Sequence, residues 1–165
     1  MKYLHLFSDP PSKIYNERFP FMEYNKSFAS AGIEWLDQMA QPNKWDLTDE
    51  DLSQLLGGLP ANVYRELKGR VIAGQRIEVT EDVVERIALL LEIFKGLQCI
   101  VPHERIDLSY AWFSQPNTGS LFGGVSIKEF LLRAKNRKVF LRRSRLFDVA
   151  CWALIAEGKR FDTAM

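Results

Sequence analysis

Histidine and cysteine are scarce in this chain, two of each among 165 residues. His5 and His103 have no metal-ligand partner at helical or loop spacing, so no metal site is expected. Cys99 and Cys151 lie far apart without metal-type spacing, each inside an apolar helical pattern. Buried free thiols are therefore expected in place of a disulfide, which fits a reducing compartment. Long hydrophobic runs are missing too: no stretch approaches the roughly 18 apolar residues of a membrane span. The longest, Ile87 to Phe94, contains Glu92 and reads as a buried core helix. The apolar run Met1–Phe7 is too short for a secretory leader and Asp9-Pro10-Pro11 interrupts it. The expected location is cytoplasmic, with no membrane partner. Strict apolar–polar alternation flanked by hairpin turns is nowhere found, so the expected fold class is all-α.

Catalytic signatures are lacking as well. Ser109, Ser114, Ser120 and Ser126 have no base in a recognisable arrangement, and Ser126 reads better as a helix cap. Gly123-Gly124 has neither a lysine-serine signature nor a preceding strand, which excludes a phosphate loop. Glu81, Asp82, Glu85 and Glu92 sit on one helix, where a solvated or salt-bridged face accounts for them. With no nucleophile and no acid–base pair nominated, neither an enzyme nor a cofactor is expected.

The chain does have a globular composition, 47% hydrophobic and 26% charged. Its length allows one domain or two small helical lobes, with a core that needs no staples. The net charge of +1 hides a segregation. Seven bases and no acid lie between Arg133 and Arg145: Arg133, Lys135, Arg137, Lys138, Arg142, Arg143 and Arg145. With those seven set aside, 15 bases face 21 acids, so an acidic body carries one basic patch. The patch reads either as a solvated helix face or as a surface that meets an acidic protein or phosphate.

Residues 1–26, with Asp9-Pro10-Pro11, Phe19-Pro20-Phe21 and many aromatics, read as an irregular arm lying on the body. From Ser27 the pattern turns helical, with Phe28, Ile33, Leu36 and Met39 near one face until Gln41-Pro42-Asn43. Thr48 looks like an N-cap, followed by Asp49, Glu50 and Asp51 where a helix dipole favours acids. Leu52, Leu55 and Leu56 form that helix's apolar face and Gly57-Gly58 stops it. The next helix opens at Pro60, carries Val63, Tyr64 and Leu67 and ends at Gly69. Two short helices around a glycine turn have helix-turn-helix spacing, and as a DNA reader the second would offer Asn62, Tyr64, Arg65 and Lys68. Residues 46–76 nevertheless hold five acids against four bases, a poor footprint for phosphate. Thr80 then caps a helix in which Val83, Ile87, Leu90, Phe94 and Leu97 recur at heptad-like spacing. That helix reads as central, and its spacing also permits pairing with another chain. A shorter amphipathic helix spans Arg105 to Phe113. Ser126 with Glu129 is a capping box opening a further helix, and a last helix runs from Val139 to about Glu157.

This order of motifs resembles the Xre/MbcA/ParS antitoxin family over about Ser27 to Glu157. The likeness is carried by Glu85-Arg86-Ile87-Ala88-Leu89-Leu90-Leu91-Glu92-Ile93-Phe94-Lys95-Gly96-Leu97, then Ala111-Trp112-Phe113-Ser114-Gln115-Pro116-Asn117, then Phe122-Gly123-Gly124-Val125-Ser126. It continues at Val139–Arg142 and Leu146-Phe147-Asp148, and in the helix-turn-helix at Leu47-Thr48-Asp49-Glu50, Leu55-Leu56-Gly57 and Val63-Tyr64-Arg65 with Gly69. The chain departs from the family at Glu66, where tryptophan is usual, and at Arg133-Ala134-Lys135-Asn136, where relatives often have glycine. Leaving the arm (1–26) outside it, the resemblance implies an Xre-like helix-turn-helix domain (27–78) packed on a toxin-binding domain (79–165), and an antitoxin of a type II toxin–antitoxin system. Such a protein neutralises a RES-domain, NAD-consuming toxin by obstructing its active site, and often represses its own operon. Arg137, Lys138, Arg142, Arg143 and Arg145 are the residues expected to meet the toxin, alone or within a homo- or hetero-oligomer. Two alternatives stay open: a DNA-binding regulator without a toxin, and an adaptor of the same fold with another partner.

Overall fold

Apolar residues recurring every three or four positions need a common interior, and here helices supply it. The structure is a computed structural model that describes residues 20–116 and 123–156, with side chains described over 27–116 and 123–147. Among these residues there are seven α-helices, a single 3-10 turn and no strand, as expected of an all-α chain. They are α1 (Pro20–Met39), α2 (Asp49–Leu55), α3 (Ala61–Ile72), α4 (Glu81–Ile100), α5 (Ile106–Ser114), α6 (Ile127–Leu132) and α7 (Arg137–Ala156). The 3-10 turn, His103–Arg105, leads into α5.

The arm expected over residues 1–26 is corrected at its end, because α1 already begins at Pro20. A proline in the first helical turn gives up an amide that has no intrahelical acceptor and arrives with a helical φ, so Pro20 opens a helix instead of breaking one. Residues 1–19 lie outside the described residues. Ala29, Ile33, Leu36 and Met39 turn the inner face of α1 into the core. Gly32 sits where α1 meets α4, and a Cβ there would run into the Ile87 side chain.

Beyond α1 the chain reverses and buries Trp45 completely. Its indole stacks on Phe113 at 3.8 Å between centroids and meets Trp35 and Phe94 edge-on at 5.4 and 6.1 Å. The Ser114 hydroxyl donates to the Trp45 carbonyl at 2.9 Å. This cluster locks α1, α4 and α5 together, and sequence periodicity gave no hint of it because Trp45 lies in a connection. Thr48 and Asp51 then form a complete capping box, each side chain accepting from the other's amide at 3.1 Å. Helix α3 runs on past Gly69, its expected end, to Ile72. A mid-helix glycine costs about 1 kcal/mol, and Leu67 and Val71, packed on the core at either side, hold the helix through it.

Helix α4 is central and buries Val83, Ile87, Leu90, Leu91, Ile93, Leu97 and Ile100 against its neighbours, chiefly α7 and α1. Its heptad-like stripe is covered by this chain's own helices. Cys99 is corrected too: it falls on the solvent side of the last turn of α4 and is exposed and free. The side chain of Cys151 lies outside the described ones. At α6 the expected capping box is half formed. Ser126 accepts from the Glu129 amide at 3.0 Å, while the Glu129 carboxylate turns to Arg133. Buried Arg86 joins three elements: Nε bonds Asp82 Oδ2 at 2.9 Å, Nη1 donates to the Leu55 carbonyl at 3.3 Å, and the guanidinium lies 4.5 Å from the Phe140 ring. A single apolar cluster runs through residues on both sides of the expected 78/79 boundary.

Candidate functional site

The basic segment divides at its helix start. Arg133 and Lys135 precede α7, and Asn136 caps it by accepting from the Val139 amide at 3.0 Å. Phe140, Ser144 and Phe147 mark the buried side of α7. At about 100° per residue, Lys138, Leu141, Arg142 and Arg145 fall on the opposite side. With Arg137 and Leu146 they line a surface depression of about 670 Å³. Leu146 is 40% exposed and stands beside half-buried Leu141 among the cations. Lys138, Arg142 and Arg145 are exposed and have no acidic partner among the described residues.

The cations also sit where helix physics does not want them. Arg137 and Lys138 occupy the first turn of α7, the end whose dipole repels positive charge, and that turn holds no acid of its own. The compensating charge comes from α4. Arg137 Nε lies 2.9 Å from Asp82 Oδ1, an ion pair without hydrogen-bond alignment, and Arg137 Nη2 donates to Glu85 Oε2. Glu85 first, then Asp82 and Glu81, push the Arg137 guanidinium still further above its ordinary pKa.

Arg143 leaves the expected set. It points inward, donates to the Phe130 carbonyl and stacks its guanidinium 4.6 Å from the Phe130 ring, pinning α7 to α6. Its phase carried the warning, since Arg143 falls three residues after Phe140 and four before Phe147, on the inner side of the helical period. The face instead gains Leu141 and Leu146. Their signal was there to read: two leucines out of phase with Phe140 and Phe147 in a helix whose inner face was already complete.

The other candidate surface, α3, is weaker than its sequence suggests. Asn62 is exposed, but Tyr64 is fully buried, which removes it from any groove-reading face. Burial first, and then the charges of Asp37 and Asp49, push the Tyr64 phenol above its ordinary pKa, so it stays neutral. Arg65 Nε lies 2.9 Å from Asp49 Oδ2, with Glu50 at 3.6 Å from Nη2, and Lys68 pairs with Asp37. Glu66 is exposed on the same helix. Two of the three cations of α3 are therefore neutralised locally, beside carboxylates that repel phosphate, while exposed Arg70 donates to the Arg76 carbonyl at 2.9 Å.

Among the described residues no group of His, Cys, Asp and Glu is arranged to hold a metal ion, and no helix is long and apolar enough to cross a membrane. No family model matches the chain, and comparison with curated proteins and with solved structures finds no match either.

Proposed function

We propose that this chain is an antitoxin that acts by binding, and that the outer face of α7 is what it lays against its toxin. The observation that carries the reading is the face itself: exposed Lys138, Arg142 and Arg145 flanking Leu141 and Leu146 over a shallow depression. Partly exposed leucines ringed by cations are the makings of an apolar contact with a charged rim. Arginine's planar fork matches carboxylates bidentately, so the complementary surface is an acidic protein. The resemblance to Xre/MbcA/ParS antitoxins supplies the partner class, a RES-domain toxin whose active-site cleft the bound chain obstructs. Within this reading the α2–α3 element is a scaffold first. Arg65 and Lys68, the cations offered for base reading, are held by Asp37, Asp49 and Glu50, which favours the antitoxin over a regulator that works by reading DNA.

The test is co-expression with the protein encoded beside it, scored by growth rescue and co-purification. A toxic neighbour that is neutralised and co-purifies supports the reading, and Arg142→Ala with Arg145→Ala should then release the toxin from a still-folded antitoxin. A neighbour that is harmless alone and does not co-purify overturns it.

A further inference from the structure

Arg137 stands apart from the other cations that line the depression. It sits at the edge where α7 meets α4, and Asp82 and Glu85 of α4 hold it. The carboxylates are seated, with side chains 32% and 23% exposed, and the arginine lies over them at 55%. One of its five N–H donors, on Nη2, is given to Glu85, and Nε lies 2.9 Å from Asp82 Oδ1 as an ion pair. Asp82 is itself fixed by Arg86, so the acidic pair does not swing away freely.

We infer that Asp82 and Glu85 act as a built-in competitor, occupying Arg137 with the same chemistry an acidic partner would offer and so holding down the affinity of the α7 face. This rests on reading that face as the contact for an acidic protein surface. The partner meets Lys138, Arg142 and Arg145 directly, but gains Arg137 only by taking it from Glu85. A surface built this way discriminates: a sparsely acidic protein finds three cations, while a densely acidic one strips out the fourth.

The test uses the full chain and a fluorescent decaglutamate peptide, followed by anisotropy at low salt. Glu85→Gln, close to isosteric, should tighten binding by about two- to fivefold, the scale of one exposed ion pair. In an Arg137→Gln background the same change should give no such gain, since the competitor then has nothing to hold. Circular dichroism melts confirm that each variant is folded, and Glu85→Ala serves as a second release variant. An unchanged affinity for both Glu85 variants overturns the inference. So does a gain that persists without Arg137, which would mean plain charge repulsion. If the peptide binds and Arg142→Ala with Arg145→Ala abolishes that binding, the failure belongs to the competitor idea alone. If no variant binds decaglutamate at all, the acid-seeking face falls with it.

Discussion

Arg86 carries a charge at 5% exposure, and its neighbours explain why that is tolerated: an acid, a carbonyl and an aromatic face all meet it. Gly57 shows how closely the chain is fitted around that arrangement. It turns the chain after α2 with φ +98°, and a Cβ there would lie 2.8 Å from Asp82 Oδ2 and 3.2 Å from Arg86 Nε. Gly58 next door also has positive φ, +81°, but a Cβ would meet nothing within 4 Å. Gly58→Ala should therefore cost the left-handed strain alone, about 1 kcal/mol. Gly57→Ala adds a clash with the ion pair and should cost about 2–3 kcal/mol. Urea unfolding of both variants makes the comparison, and equal losses would mean the turn is not packed on the pair. Asp51 supplies a pH-dependent case. Burial alone would raise its pKa, but the Thr48 amide and the Lys128 ammonium, 3.0 Å away, outweigh it and the net shift is downward. A folded pKa below the unfolded one gives stability that is present above about pH 4 and fades as pH falls through the lower folded value. Asp51→Asn should thus lower the melting temperature at neutral pH and leave it unchanged near about pH 2. A deficit of equal size at both would assign the loss to packing.

Elements were more legible in the sequence than contacts, and the reasons are physical. Thr48, Thr80 and Ser126 announced helix starts because a hydroxyl that accepts from an orphan amide is a local event, readable within four residues. The stripe of α4 was legible because burial imposes its own period. The start of α1 was missed because Pro20 is a breaker inside a helix and a good opener at its first turn. The helical period already set Arg143 in phase with Phe140 and Tyr64 in phase with Leu67, but the partners they meet, Phe130 and the α1–α3 packing, come from other elements and were not readable locally. The same division tells which residues of α7 bear on stability. Lys138→Glu, Arg142→Glu and Arg145→Glu together should leave the unfolding midpoint within about 1 kcal/mol of wild type, since none has a described partner and acids suit the first turn. Arg143→Ala should destabilise by about 1–2 kcal/mol, through the lost carbonyl bond and the stack on Phe130. The reverse order of effects would show that the outer face is structural and Arg143 is not.

At the scale of the whole molecule, the question is where an anion finds this protein. Many acids lie along α1 to α4, and on the outer face of α7 exposed Lys138, Arg142 and Arg145 stand together without an acidic partner among the described residues. An anionic ligand is therefore drawn to α7, whereas on α3 Arg65 and Lys68 are already paired with acids. This gives opposite expectations for duplex DNA under the antitoxin and regulator readings. If α7 is the attractive face and α3 is neutral, duplex binding is weak, indifferent to sequence and dependent on Lys138, Arg142 and Arg145. The dependence of log K on log salt should then have a slope of about −3, near −0.9 for each phosphate neutralised. Arg65→Ala should leave that slope and the affinity unchanged, because Arg65 is held by Asp49 and Glu50. A regulator behaves otherwise: it prefers its own upstream sequence by at least about a thousandfold over random duplex. In that case Asn62→Ala and Arg65→Ala abolish the preference while the α7 variants spare it. Titrations across a range of salt, with the upstream sequence and a scrambled duplex side by side, separate the two. A thousandfold preference lost on Arg65→Ala would move the functional surface from α7 to α3 and leave the helical fold unaltered.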